Sequence, residues 1–263
     1  MTRHVINLYK GFFEIVKKLF PFLTLFSVWE LTSTSGIVSK DILPAFSDVA
    51  KSIFILLKED GVLYNLWISL YRSLAGLTIS ISVGILIGYL IAYNKILRWL
   101  INPLITLTYP LPKTALVPLT MFWLGITNEA AIFVIFLGCL LPIVVNTYNG
   151  VISVDYKLIW SARCLGTPEN KLFWRVVIPA SIPHITNGIR IALPLSFILT
   201  ISVELVGSRA GIGTLISLYG NLGNYDLMFA AILLYVIIAV IIDRFVSTLI
   251  NKLTKWREGV EHL

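Results

Sequence analysis

Three ionisable side chains, Arg72, Lys113 and Glu204, fall inside long apolar runs of this 263-residue sequence. A charge in hydrocarbon is costly, so each must pair, snorkel to an interface or line a polar path. The opposite signs of Arg72 and Glu204 permit an ion pair. Lys113 stands among Pro103, Pro110, Pro112 and Pro118. A backbone broken by that many prolines is tolerated at membrane depth only when buried in protein or lining a cavity. Lys113 is therefore expected to face a central cavity, and all three residues are candidates for a translocation path. The two cations make a small anion the favoured solute.

Covalent and metal chemistry find no support. The sequence has no G-x4-G-K-[ST], H-E-x-x-H, C-x-x-C or G-x-S-x-G, so no catalytic, cofactor or metal site is assigned. His4, His184 and His262 are far apart, and Cys139 and Cys164 do not make a disulfide framework. A membrane-embedded enzyme would need clustered His, Asp or Glu near one interface, and no such cluster occurs.

The elements that must position these residues are membrane spans. Hydrophobic residues make up 57% and charged residues 13% of the chain, and mean hydropathy is +0.86. A soluble domain is nearer one-quarter charged. Six spans are expected: Leu19 to Ile37, Asn65 to Ala92, Ile101 to Leu124, Ala130 to Val151, Ile185 to Val206 and Met228 to Leu249. A polar connection, Val38 to Tyr64, follows the first. Gly207 to Asp226 is too short of apolar residues to span. It is expected to fold back, outside the cytoplasm, toward the mouth of the path. The whole chain, 1–263, reads as one domain, an all-α polytopic membrane protein.

The net charge of +7 does not point to nucleic acid, because the basic residues are scattered between apolar spans. They sort by side instead. Of the 21 Lys and Arg, Arg72 and Lys113 lie deep in spans, fifteen (with Arg190 and Arg244 at the cytoplasmic ends of theirs) lie on the side of the termini and four (Lys40, Lys51, Lys58 and Arg209) on the other. The excess places both termini and the loop at 155–183 in the cytoplasm.

That loop, Asp155 to Pro183, carries Lys157, Arg163, Lys171 and Arg175 between two apolar runs. Leu158, Ile159, Ala162 and Leu165 recur at helical spacing and form an apolar stripe. Gly166 can end that helix in the left-handed cap conformation. Thr167 fits the next N-cap, Pro168 and Glu169 its first turn, and Pro179 and Pro183 its stop. A greasy stripe at a membrane surface suits either a docking device or an interfacial helix pair. Elsewhere, Gly84 and Gly88 form a G-x3-G pair with Gly76 two turns earlier, permitting close helix approach within the subunit or between copies.

The loop resembles the EAA loop of ABC-importer permeases, EAA-x3-G-x9-I-x-LP. Trp160-Ser161-Ala162, Gly166, Val176 and Ile178-Pro179 keep its spacing, with Trp160 in place of the leading Glu. Trp29-Glu30, LPAFSDV (43–49), SLYRSLAG (69–76), PKTALVPLTMFWLG (112–125) and ELVGSRAGIG (204–213) are similar to the nitrate, taurine and alkanesulfonate group. The resemblance implies a type I importer-like permease in a bacterial inner membrane. It also implies a second permease copy, two ATPase subunits that bind ATP and Mg, and an extracytoplasmic substrate-binding protein. Leu158, Ile159, Trp160, Ser161, Ala162, Leu165 and Gly166 would couple the permease to the ATPase. The competing reading is a secondary transporter or channel of about six spans. Such transporters often carry paired broken helices in two halves, whereas the proline-rich span here has no counterpart.

Overall fold

The computed structural model describes Lys17, residues 20–39 and residues 42–258; the expectations about both termini, Lys18, Leu19 and Lys40 lie outside these. Among the described residues there are helices and turns and no strand. In chain order the helices are α1 (20–34), α2 (Phe46–Leu56), α3 (Val62–Tyr93), α4 (Lys95–Thr108), a 3-10 turn (Lys113–Leu116), α5 (Val117–Leu124) and α6 (Asn128–Ile152). There follow α7 (Tyr156–Cys164), α8 (Glu169–Leu172), a π turn (Phe173–Val177), α9 (Ile178–Gly207), α10 (Ile212–Asn221) and α11 (Tyr225–Glu258).

Among the described residues four segments are long and apolar enough to cross a membrane: Val62–Tyr93, Asn128–Ile152, Glu169–Gly207 and Tyr225–Lys252. They contain the expected second, fourth, fifth and sixth spans. The expected third span is not one helix. Pro110 and Pro112 fall in the gap between α4 and the 3-10 turn, and Pro118 opens α5. Each proline removes a donor and excludes the carbonyl four residues back, so the run breaks into three pieces.

Two further expectations are corrected. Pro179 and Pro183 do not stop the helix after Gly166, which runs on into α9. The π turn at Phe173–Val177 explains this, because a wider turn before Pro179 accommodates a ring that would strike the Arg175 carbonyl in a regular helix. The N-cap of α8 is Pro168 rather than Thr167 (φ −70°, ψ 150°) and offers no side-chain cap. The polar connection at 38–64 contains α2.

The chain forms two compact units. One comprises the described residues up to 62 together with 215–234. Within it the Trp29 indole donates to the Pro44 carbonyl (2.8 Å), and the Trp29 ring stacks near Phe46 and Phe229 at 5.6 and 5.8 Å. Ala45 gives α2 no side-chain cap. The Glu30 carboxylate fills that role, accepting from Ser47 N (3.0 Å) and Oγ (2.8 Å). The motifs Trp29-Glu30 and LPAFSDV are thus the two halves of one contact.

The other unit comprises residues 63–214 and the described residues from 235 to 258. Its centre is α6, flanked by α3 and α9. A Cβ at Gly84 would lie 2.8 Å from Ile143 Cγ2, and one at Gly88 2.5 Å from Thr147 Cβ. Glycine is therefore required for α3 to approach α6 so closely, and the G-x3-G pair serves packing inside the chain. Val117, Ala131, Val134 and Val203 form a buried cluster that fixes α5 against α6 and α9.

Candidate functional site

Two constellations stand out within the larger unit: the elbow at 155–183 and a polar cluster around Glu204. The elbow is locally determined at both ends of α7. Asp155 caps the N-terminus, its carboxylate accepting from Lys157 N at 2.9 Å. At the C-terminus Gly166 adopts φ +81°, with Gly166 N donating to Arg163 O (2.9 Å) and Thr167 N to Ala162 O (3.0 Å). This pair of bonds is the Schellman arrangement expected from a helix ending in Gly. Across the bend, Arg163 forks onto Glu169, Nε to Oε1 at 2.6 Å and Nη2 to Oε2 at 3.1 Å. The hydrogen bond to Glu169 pushes the guanidinium pKa further above its usual range, so Arg163 is permanently charged.

No residue of α7 is buried. Leu165 is 86% exposed, Trp160 61% and Leu158 53%, while Ile159 and Ala162 are half-buried. The apolar stripe is therefore split, with its two leucines and the adjacent tryptophan exposed. Behind the elbow the chain is anchored. Phe173 packs edge-on against Tyr89 (5.3 Å) and Tyr93 (5.5 Å) of α3, and Tyr89 Oη lies 2.7 Å from Ser181 Oγ.

Glu204 is 2% exposed and Arg72 4%. Arg72 Nη1 donates to Glu204 Oε1 at 2.8 Å, so the two are partners. Ser69 Oγ lies 2.9 and 2.8 Å from the two carboxylate oxygens, and Gly213 N donates to Oε2 at 2.9 Å. Arg72 Nε donates to Asn128 Oδ1 (2.9 Å) and Nη1 also to Ala210 O (2.7 Å). The chain after α9 turns back over this carboxylate. Gly211 N donates to Asn65 Oδ1 (2.6 Å) and Ile212 N to Ser69 Oγ (2.8 Å). A Cβ at Gly211 would stand 2.2 Å from the Glu204 carboxyl carbon, and one at Gly213 2.5 Å from Glu204 Cβ. That is the physical content of ELVGSRAGIG: the glutamate is wrapped by the glycines that follow it.

Lys113 has backbone partners. Its Nζ donates to the carbonyl of Thr108, at the end of α4 where helical carbonyls lack donors, and to Leu111 O (2.9 Å) in the turn that follows. Its stem lies against α6, with Cγ 3.6 Å from where a Cβ on Gly138 would be.

Asn65, Ser69 and Asn128 were not singled out from the sequence. The signal was present: Asn65, Ser69, Arg72 and Ser73 recur at helical spacing along one face of α3. A second amide pair, Asn187 Nδ2 donating to Asn146 Oδ1 at 3.0 Å between α9 and α6, had no comparable signal.

Residues 81–255 match the family of binding-protein-dependent transport system inner membrane components. The putative aliphatic sulfonates transport permease protein SsuC of Bacillus subtilis (strain 168) is 30% identical over 235 residues, covering 89% of this chain and 85% of that protein. The protein of the same name from Escherichia coli (strain K12) is 33% identical over 233 residues, covering 88% of each. A solved structure of the MetNI methionine ABC transporter in inward-facing conformations shares the fold, with a TM-score of 0.63 at 20% identity over 73% of this chain and 96% of that one. This chain belongs to the binding-protein-dependent transport inner-membrane family, the permease subunits of ABC importers.

Proposed function

We propose that the chain is a single permease domain, and that two copies build a translocation path for a small oxyanion. In this reading two cytoplasmic ATPase subunits drive the path and an extracytoplasmic binding protein feeds it. The relatives named for aliphatic sulfonates support a sulfonate-like solute. The Lys and Arg bias supports an orientation with termini and elbow in the cytoplasm. ATP and Mg belong to the partner subunits, since no phosphate-binding motif occurs in this sequence.

The coupling role falls to α7 and Gly166. The observation that carries it is a helix capped at both ends, with no buried residue, presenting Leu158, Trp160 and Leu165 to solvent. A helix with no fully buried residue in its own chain gains stability by seating its apolar face in a partner groove. Trp160, with Ile159, Ser161 and Ala162 around it, supplies an aromatic anchor. Arg72 and Glu204 hold the frame from which the path is built, and Lys113 sits where the broken helix adjoins it. Co-expression of permease and ATPase, with co-purification and solute uptake measured on wild type and Ala162→Asp, tests this reading. A charge at position 162 is expected to abolish both uptake and association. Normal values of both would remove α7 as the coupling element.

A further inference from the structure

A cleft of about 290 Å³ opens beside the buried ion pair, lined in part by Arg72, Arg209, Thr127, Asn128 and Glu129. Its volume suits a small solute. The Arg72 side chain is only 5% exposed, yet its donors are not all used. Glu204 and the Ala210 carbonyl take Nη1, Asn128 takes Nε, and Nη2 has no hydrogen bond among the described residues. Because Arg72 lines the cleft and Nη2 is not fully enclosed, this nitrogen is a donor left open to an acceptor there.

Two other features of the lining have the same sign. Arg209 is exposed and forms no ion pair among the described residues. The 25-residue helix α6 begins at Asn128, capped by Thr127 Oγ1 on Ala130 N (3.3 Å), so its positive end borders the cleft. Glu129 is the one acidic residue of the lining and opposes these donors.

We propose that this cleft is a binding site for a small oxyanion, accepting from Arg72 Nη2 and paired with Arg209. Glu204 neutralises Arg72 from the other side and fixes its plane, so that the free nitrogen is presented without an excess buried charge. Glu129 tempers the affinity, as a site that must release its occupant requires. The inference rests on the permease reading and adds to it a place on this chain where the solute's anionic group is held.

Full-length permease in lipid nanodiscs would be titrated by calorimetry with methanesulfonate, nitrate and bicarbonate in turn. Binding of at least one probe is expected. Arg209→Gln, a surface change that leaves the ion pair intact, is expected to weaken it by ~10-fold or more, and Glu129→Gln to tighten it by roughly 3-fold. Opposite signs in the two variants distinguish a charge-reading site from general loss of fold. Absence of binding by all three probes, or equal affinity in wild type and both variants, overturns the site. Uptake by the complete transporter separates the two claims: uptake that persists without binding at this cleft refutes the site alone. No uptake of any solute by the wild-type assembly refutes the permease reading.

Discussion

The guanidinium of Arg72 and the carboxylate of Glu204 meet at 2.8 Å, with the side chains 5% and 0% exposed, although 132 positions separate them in the chain. The contact ties α3 to the end of α9. Breaking a buried pair by removing one partner costs about 3–5 kcal/mol, because the other charge is left buried and uncompensated. Arg72→Met and Glu204→Leu are therefore each expected to lower the thermal stability of the detergent-purified permease sharply. The double variant should lose much less than the sum. Equal and additive losses in a double-mutant cycle would show that the pair is not coupled.

The glycines after Glu204 should behave differently from those in open turns. Gly213→Ala places a methyl 2.5 Å from Glu204 Cβ, whereas at Gly223 (φ +74°) nothing lies within 4 Å. The first change is expected to prevent assembly of the cluster. The second should cost only about 1–2 kcal/mol of backbone strain. Size-exclusion profiles and melting temperatures of the two variants provide the comparison.

Gly166 lies in open space at φ +81°, so its intolerance should depend on backbone conformation and not on volume. Gly166→Val is expected to lose uptake and ATPase association, since a β-branched residue is disfavoured in the left-handed region. Gly166→Asn, which tolerates that region, should retain most of both. Similar behaviour of the two variants would mean that the bend angle is not what matters.

Lys113 donates to the carbonyl of Thr108, the last residue of α4, and to that of Leu111 in the turn beyond it. Lys113→Met should leave those carbonyls without a donor and destabilise the permease by about 1–3 kcal/mol. Lys113→Arg should restore most of the loss. If the charge also serves the path, Lys113→Met will raise the KM for uptake even after correction for the amount of folded protein. An unchanged KM would confine Lys113 to capping.

Glu30 stands in for the absent side-chain cap of α2. Glu30→Ala should cost about 1 kcal/mol, in the range of other N-cap losses, and Glu30→Gln less. Hydrogen exchange confined to residues 46–49 would report it.

Local physics and composition made much of this chain legible. Apolar runs of sufficient length marked the four long helices, because a bilayer requires about 20 apolar residues. Gly166 marked a left-handed C-terminus, because no other residue enters that conformation without strain. The split of the third span followed from its prolines. The opposite charges of Arg72 and Glu204 made their pairing one of two open alternatives.

Tertiary structure decided the rest. That Glu30 caps α2, that Gly84 and Gly88 pack on α6, and that Gly211 and Gly213 enclose Glu204 all depend on contacts between distant segments. No periodicity encodes such partners. The passage of the helix through Pro179 was equally hidden, because a π turn several residues earlier absorbs the steric conflict. Lys113 shows the limit most plainly: the prolines announced a broken helix, but only the folded chain shows the ammonium turning back to cap it.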